Sequence, residues 1–386
     1  MYKKSLLLLA VSFLLATCFA LACLLSGYKM VRAMPAPIET HKQTQTVIPG
    51  SSVVPLASMQ IRALAAVTAR DVWIAGQYID ASEQLQAFYQ HFDGVQWEVV
   101  DPHTPGNGSN ITSLSALSAN DIWAVGHYAS GALIEHWDGK SWSLADKHVS
   151  HNSDLACVLA LSANDVWAVG EKFRVDALGS VTLIKHFDGT RWREMDSPDL
   201  GAKSTLTSIT AVSPTELWAV GGSYYNGPIT EHYVDGHWSL APNPLVNSDQ
   251  SNGAPFLISA TARSKNDVWA VGDARGNQFG PLIEHWHGKS WSLVPAPALN
   301  GTYQQLISVL SLQAKNVWAM GSYTDPSNNN HPLVTRWDGY AWDLIPLPDN
   351  LTQLNAWQQL GSSNLILGIG TYDKQVKLLT IPAIPN

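Results

Sequence analysis

Five histidines recur in one setting along this sequence: His91, His136, His186, His232 and His285, each ending a short apolar run and each six residues before a tryptophan. Imidazoles repeated in this way raise the question of a metal centre, because neutral His nitrogen is a common ligand for zinc and copper. Five acidic residues recur with the same regularity, Asp71, Asp121, Asp165, Glu216 and Asp267, giving way to Asn316 and Asn364 in the last copies. Carboxylates held close in pairs would suit glycoside hydrolysis. Four tyrosines, Tyr78, Tyr128, Tyr323 and Tyr372, stand at matching places and offer flat faces on which a sugar ring or peptide side chain can stack. The one thiol beyond the N-terminal apolar stretch, Cys157, sits in the apolar run 155–161 and reads as a small core residue rather than a nucleophile.

What these residues can do depends on the elements that carry them, and those elements repeat. The string Asp-Val-Trp-Ala-Val-Gly, or a close variant, places tryptophans at Trp73, Trp123, Trp167, Trp218, Trp269 and Trp318, spaced 44 to 51 residues apart. A second string ending in a turn and a tryptophan gives Trp97, Trp142, Trp192, Trp238, Trp291 and Trp342; together the two columns hold 12 of the 16 tryptophans. A third column contains Trp137, Trp286 and Trp337, with Phe92, Phe187 and Tyr233 in the other copies. A worn seventh copy follows Trp357, with Ile366 in the tryptophan place. A fixed period of this length means a repeat architecture, and residues that match between copies serve that architecture first.

Each copy reads as four short strands. In the second, residues 111–117 alternate small polar and apolar side chains, 118–121 supply turn chemistry, 122–128 and 133–137 form the middle strands, and Asp138-Gly139 turns the chain into 141–144. Seven such units predict an all-β, seven-bladed β-propeller of four-stranded antiparallel blades over residues 44–383. The seventh copy lacks a fourth strand, and residues 45–49 resemble fourth strands elsewhere, so the N-terminal segment is expected to complete the last blade and remove an exposed edge.

This frame decides between the chemistries. The histidines fall on the third strands of different blades, with neighbours on the order of 15 Å apart when strands lie ~4.8 Å from one another. Nitrogens sharing a zinc ion must approach it within about 2 Å, so each His is expected to bond locally, with no metal and no cofactor. The recurrent acids lie in an invariant turn and read as turn-capping residues rather than a catalytic pair.

Loop lengths locate the functional end. From His (or Arg336) to the closing Trp the gap is always six, whereas from the first Trp to the His it runs from 13 to 19. Connections alternate between the ends of an up-and-down blade, so constant turns share one face and variable loops the other. Binding belongs on the variable face, where the four tyrosines are the candidate ligand contacts.

Before the repeats, Lys3 and Lys4 precede 21 uncharged residues, 5–25, which as a helix would span roughly 31 Å. Residues 1–27 therefore read as a signal peptide or an N-terminal membrane anchor in the form of a hydrophobic helix, with 28–43 as a linker. The propeller is expected outside the cytoplasm, secreted or tethered to the membrane, and monomeric. A net charge of −8 without runs of Lys or Arg argues against nucleic acid as a partner.

The Trp-rich strings and Asp-Gly-x-x-Trp turns resemble kelch-like and galactose-oxidase-like propellers, and also the Asp-box propellers of sialidases. The resemblance implies the blade architecture. The variable face gives the functional expectation, a binding module at the cell surface whose ligand is a glycan, a peptide or an envelope protein. Its alternative is a carbohydrate-active enzyme of sialidase, lyase or oxidase type. Against that alternative, only Arg174 and Arg275 fall in the variable loops, short of an arginine cluster, and Cys157 offers no evident partner for a cross-link.

Overall fold

The computed structural model describes residues 46–56, 58–103, 108–129, 131–146, 151–177, 179–198, 200–201, 203–245, 254–274, 280–297, 301, 303–361 and 363–382. The expected N-terminal helix and linker lie outside the described residues. Among the described residues no helix is long and apolar enough to cross a membrane.

Seven four-stranded antiparallel sheets follow one another along the chain. The first comprises Gln60–Thr68, Asp71–Ile79, Leu85–Phe92 and Trp97–Val100, in that order. Blades 2 to 6 repeat the plan over 110–144, 153–195, 204–240, 256–293 and 303–344. In blade 7, Leu351–Gln359, Leu365–Tyr372 and Gln375–Pro382 carry Thr46–Ser52 as their outermost strand, with Val47 opposite Leu379 and Ser52 opposite Lys377. First strands of consecutive blades are neighbours, and the first strand of blade 7 lies against that of blade 1, so the sheets form a ring.

The alternating hydroxyls of the first strands are explained by this ring. Each inner strand has no sheet partner on its axial side, so its backbone N–H groups need other acceptors. Ser113 and Ser115 accept from Val158 N and Ala160 N at 3.2 and 3.0 Å, and Ser208 and Thr210 accept from Ala260 N and Ala262 N at 3.1 and 3.0 Å. Between blades 7 and 1 the longer Gln358 does the same work, accepting from Ala66 N at 3.0 Å.

The recurrent glycine has a steric cause. Each first strand bulges, bringing its backbone onto the second strand; a Cβ on Gly170 would stand 2.0 Å from the Asp154 carbonyl oxygen. Gly76, Gly126, Gly221, Gly272 and Gly321 meet the same obstacle at 1.9 to 2.0 Å. Gly170→Ala should therefore lower stability by about 3 kcal/mol in denaturant titration, the range for an enforced core clash. An unchanged midpoint would contradict the close approach.

The tryptophan columns fill the spaces between blades. The second-strand Trp of one blade meets the closing Trp of the next at steep angles: Trp73 and Trp142 at 5.6 Å and 84°, Trp218 and Trp291 at 5.4 Å and 88°, Trp269 and Trp342 at 5.5 Å and 83°. The third column joins the same clusters, as Trp286 does at 4.7 Å from Trp218. Edge-to-face packing of such rings adds about 1 kcal/mol beyond the area they bury.

The seventh copy corrects the sequence alignment by one residue. Leu367, with Ile369, faces blade 1 as the tryptophans face their next blades, whereas Ile366 faces blade 6 and takes the valine place. Gly370 sits where Gly76 does, which fixes the register and puts Leu365 rather than Asn364 in the acidic place. Side chains alternate faces along a strand, so a shift of one exchanges the two interfaces.

Candidate functional site

The repeated acids and histidines are each other's partners. Nε2 of His91, His136, His186 and His285 lies 2.8, 2.9, 2.8 and 2.7 Å from Oδ1 of Asp71, Asp121, Asp165 and Asp267, and His232 lies 3.1 Å from Oε1 of Glu216. Each imidazole also packs on the tryptophan of its own blade, with ring centroids 3.9 to 4.4 Å apart. The acids, expected only to cap turns, thus hold the histidines across the sheet. Blade 6 substitutes the pair together: Arg336 Nε donates to Asn316 Oδ1 at 2.7 Å. That joint change was the sequence signal for the pairing. Cys157 packs against the cluster between blades 3 and 4, where burial pushes its thiol pKa up.

Sequence reasoning passed over a second polar set. The residue before each His is Gln90, Glu135, Lys185, Glu231 or Glu284, with Thr335 in blade 6, and all six are buried. Five of them grip the connector arriving from the preceding blade. Gln90 exchanges hydrogen bonds with Val54 N and O at 3.0 and 2.8 Å. Glu135 accepts from Tyr89 Oη at 2.7 Å and from the backbone of His103. Lys185 pairs with Asp146, Glu231 accepts from Ser197 Oγ at 3.0 Å, and Glu284 accepts from Asn243 Nδ2. Burial raises the carboxyls of Glu135, Glu231 and Glu284 to about 7 against the pull of these donors. The clue in the sequence was an acid inside an apolar strand, as in 133–137, which burial forbids without a partner.

The connectors so held arrive at the end of the ring that also carries the second-to-third-strand hairpins. The opposite end consists of repeated tight turns, typified by Asp138 Oδ1 accepting from Lys140 N and Ser141 N at 2.9 Å, with Gly139 at φ +90°. At the variable end a groove of 530 Å³ runs between blades 6 and 7, lined by Tyr323, His331, Pro346, Pro348 and Asp349 among others. A second cavity of 470 Å³ follows the axis past Arg62, Thr112, Ile258, Ile307 and Asn355.

The four selected tyrosines are dispersed through this frame. Tyr78, Tyr128, Tyr323 and Tyr372 each pack against the cluster shared with the preceding blade, and Tyr372 is only 5% exposed. Tyr323 also forms part of the groove, stacked on His331 with centroids 5.1 Å apart and His331 held by Asp325 at 3.0 Å. The tyrosines that stand farthest into solvent at this end are Tyr224 and Tyr225, in a variable hairpin but outside the repeated Tyr position.

Fold and site together define a seven-bladed β-propeller with one end of repeated turns and one individual end. No family model matches the chain, and no curated protein matches it. Among solved structures, YCF48 bound to D1 peptide is 16% identical, covers 90% of this chain and 99% of its own, and has a TM-score of 0.53. The BP39L lectin from Burkholderia pseudomallei is 12% identical, with 86% and 98% covered and a TM-score of 0.52. The GH74 xyloglucanase from Xanthomonas campestris is 11% identical over 83% of this chain and 53% of the enzyme, with a TM-score of 0.53. These likenesses establish the propeller alone. They are not specifically of kelch or galactose-oxidase type, so that resemblance narrows to the shared architecture.

Proposed function

We propose that this protein is a binding module that works outside the cytoplasm, exported by residues 1–27, spaced by residues 28–43, and recognising a protein or carbohydrate through the variable end of its 44–383 propeller. One observation carries the reading: the irregular connectors, the long hairpins and the 530 Å³ groove meet at one end, while the other is built of repeated turns. Rigid strands that present individual loops are the arrangement of recognition surfaces. Neighbouring folds that include a lectin and a peptide-bound propeller are compatible with either ligand class.

The test is a glycan and envelope-protein array read with two variants. Tyr323→Ala with His331→Ala alters the groove; Tyr340→Ala with Val95→Ser alters exposed residues of the turn end, 75% and 73% accessible. Binding lost only in the first variant supports the assignment. Equal loss in both, or turnover of chromogenic glycosides by the purified protein, would reverse it.

In the same reading, Thr46–Ser52 closes the ring. Trp97 Nε1 of blade 1 donates to Ser51 O at 3.0 Å, and Ser51 Oγ accepts from Leu378 N of blade 7 at 3.1 Å, so one short strand touches both ends of the repeat array. Deleting residues 43–50 should lower the thermal midpoint by roughly 10 °C or more, given a few kcal/mol of lost pairing. An unaltered melt would remove this role.

A further inference from the structure

Blade 4 departs from blades 1 and 6 at the tip of its second hairpin. In blades 1 and 6 the same tip is closed by Asp80 and Asp325, whose carboxylates accept backbone N–H groups of the turn. Blade 4 instead places Tyr224 and Tyr225 there, 61% and 56% exposed. They are held firmly. Buried Ser223 accepts from Tyr225 N and Asn226 N at 3.3 Å, Asn226 Nδ2 donates to Leu200 O at 3.1 Å, and Tyr224 N donates to Lys203 O at 3.0 Å.

The two rings are perpendicular, 5.3 Å apart at 89°, and form the walls of a corner. Lys203 Nζ stands 4.7 and 5.2 Å from their centroids. Among the described residues this ammonium pairs with no carboxylate. Lys203 itself has φ 61°, a left-handed conformation that a side-chain-bearing residue adopts at a cost of about 1 kcal/mol or more. The fold therefore maintains two exposed aromatic faces and an unneutralised cation at one point, with no contribution to the core.

We propose that Lys203, Tyr224 and Tyr225 form a binding site for an acidic sugar, the tyrosine faces taking the C–H face of a uronic-acid ring and the Lys203 ammonium its carboxylate. The inference rests on the binding-module reading above and supplies its ligand class. A uronic-acid pyranose joins a flat apolar C–H face to a carboxylate on its ring, which is the complement of this corner. A peptide strand is a poorer fit: Glu216–Ser223 is paired on both sides and Gly227–Val234 pairs outward over residues 231–234, so the edge near the tip is only Gly227, Pro228 and Ile229, and the proline has no N–H to donate.

The test uses the folded propeller with polygalacturonate, dextran as a neutral polymer and poly-L-glutamate as a charged polypeptide, read by titration calorimetry with thermal melts as controls. Polygalacturonate should bind at least about tenfold more tightly than either of the others. Tyr225→Ala should weaken it about tenfold while Tyr225→Phe retains it, in keeping with the worth of one aromatic contact. Lys203→Gln should weaken binding and remove its salt dependence, and Lys203→Arg should restore both. Poly-L-glutamate binding as tightly, polygalacturonate binding unmoved by Tyr225→Ala and Lys203→Gln, or no binding would each overturn the site. An array ligand lost on groove substitution would still uphold the variable end, so the two failures are separable.

Discussion

Melting the propeller at pH 5 and again at pH 8 should show a large loss of stability at the higher pH, and the cause should be three buried carboxyls. Glu135, Glu231 and Glu284 are fully enclosed, and burial raises each to about 7 from an ordinary 4.5. Their folded pKa lies above the unfolded one, so the stability they confer is complete below about pH 4.5 and disappears as pH rises through 7. Each contributes about 3 kcal/mol across that window, and three independent sites set an upper bound of about 10 kcal/mol. Glu171, raised by burial and by Asp154, acts in the same direction. His287, lowered mainly by burial, acts in the opposite one below its ordinary 6.5. The carboxylates held low, such as Asp93 and Asp138, lose their contribution only under more acid conditions. Replacing the three glutamates by glutamine should flatten the profile. Equal melting of the unmodified protein at pH 5 and pH 8 would contradict the assignment.

Truncating one tryptophan between blades should rank next. Trp218 is fully buried, stacked 4.0 Å from His232 and wedged against Trp286 and Trp291 of blade 5 at 4.7 and 5.4 Å. Trp218→Ala removes the filling of that interface, and its neighbours are fixed in two sheets that cannot collapse into the void. A loss of about 4 kcal/mol in urea titration is expected. Trp291→Ala should cost less once Trp218 is gone, because both substitutions open the same space. Strict additivity of the two, or a loss below about 1 kcal/mol, would show that the blades are not joined through these rings.

Most of the architecture was legible because it is written seven times. The columns of Trp73 and Trp97, the turn at Asp138-Gly139 and the alternating hydroxyls near Ser113 each announce a local geometry, and repetition separates that message from chance. The worn seventh copy was misread by one residue for the same reason in reverse: without tryptophan, Ile366 and Leu367 are equivalent hydrophobes, and only pairing with Thr380 and Ile381 shows which faces blade 1. The site was less legible. The repeated tyrosines stand out in the sequence because they match, yet matching residues pack toward blade interfaces; Tyr224 and Tyr225 match nothing.

The sequence by itself determined the number of sheets, their four-stranded plan and which connections are constant, since these follow from local pattern and period. Tertiary structure alone decided the partnerships: Asp with His across each sheet, Glu135 with the connector at His103, Lys203 with two tyrosines. Periodicity records which face of a strand a side chain occupies, but a hydrogen bond or a ring contact depends on distances between segments far apart in the chain. Those distances exist only once the ring has formed.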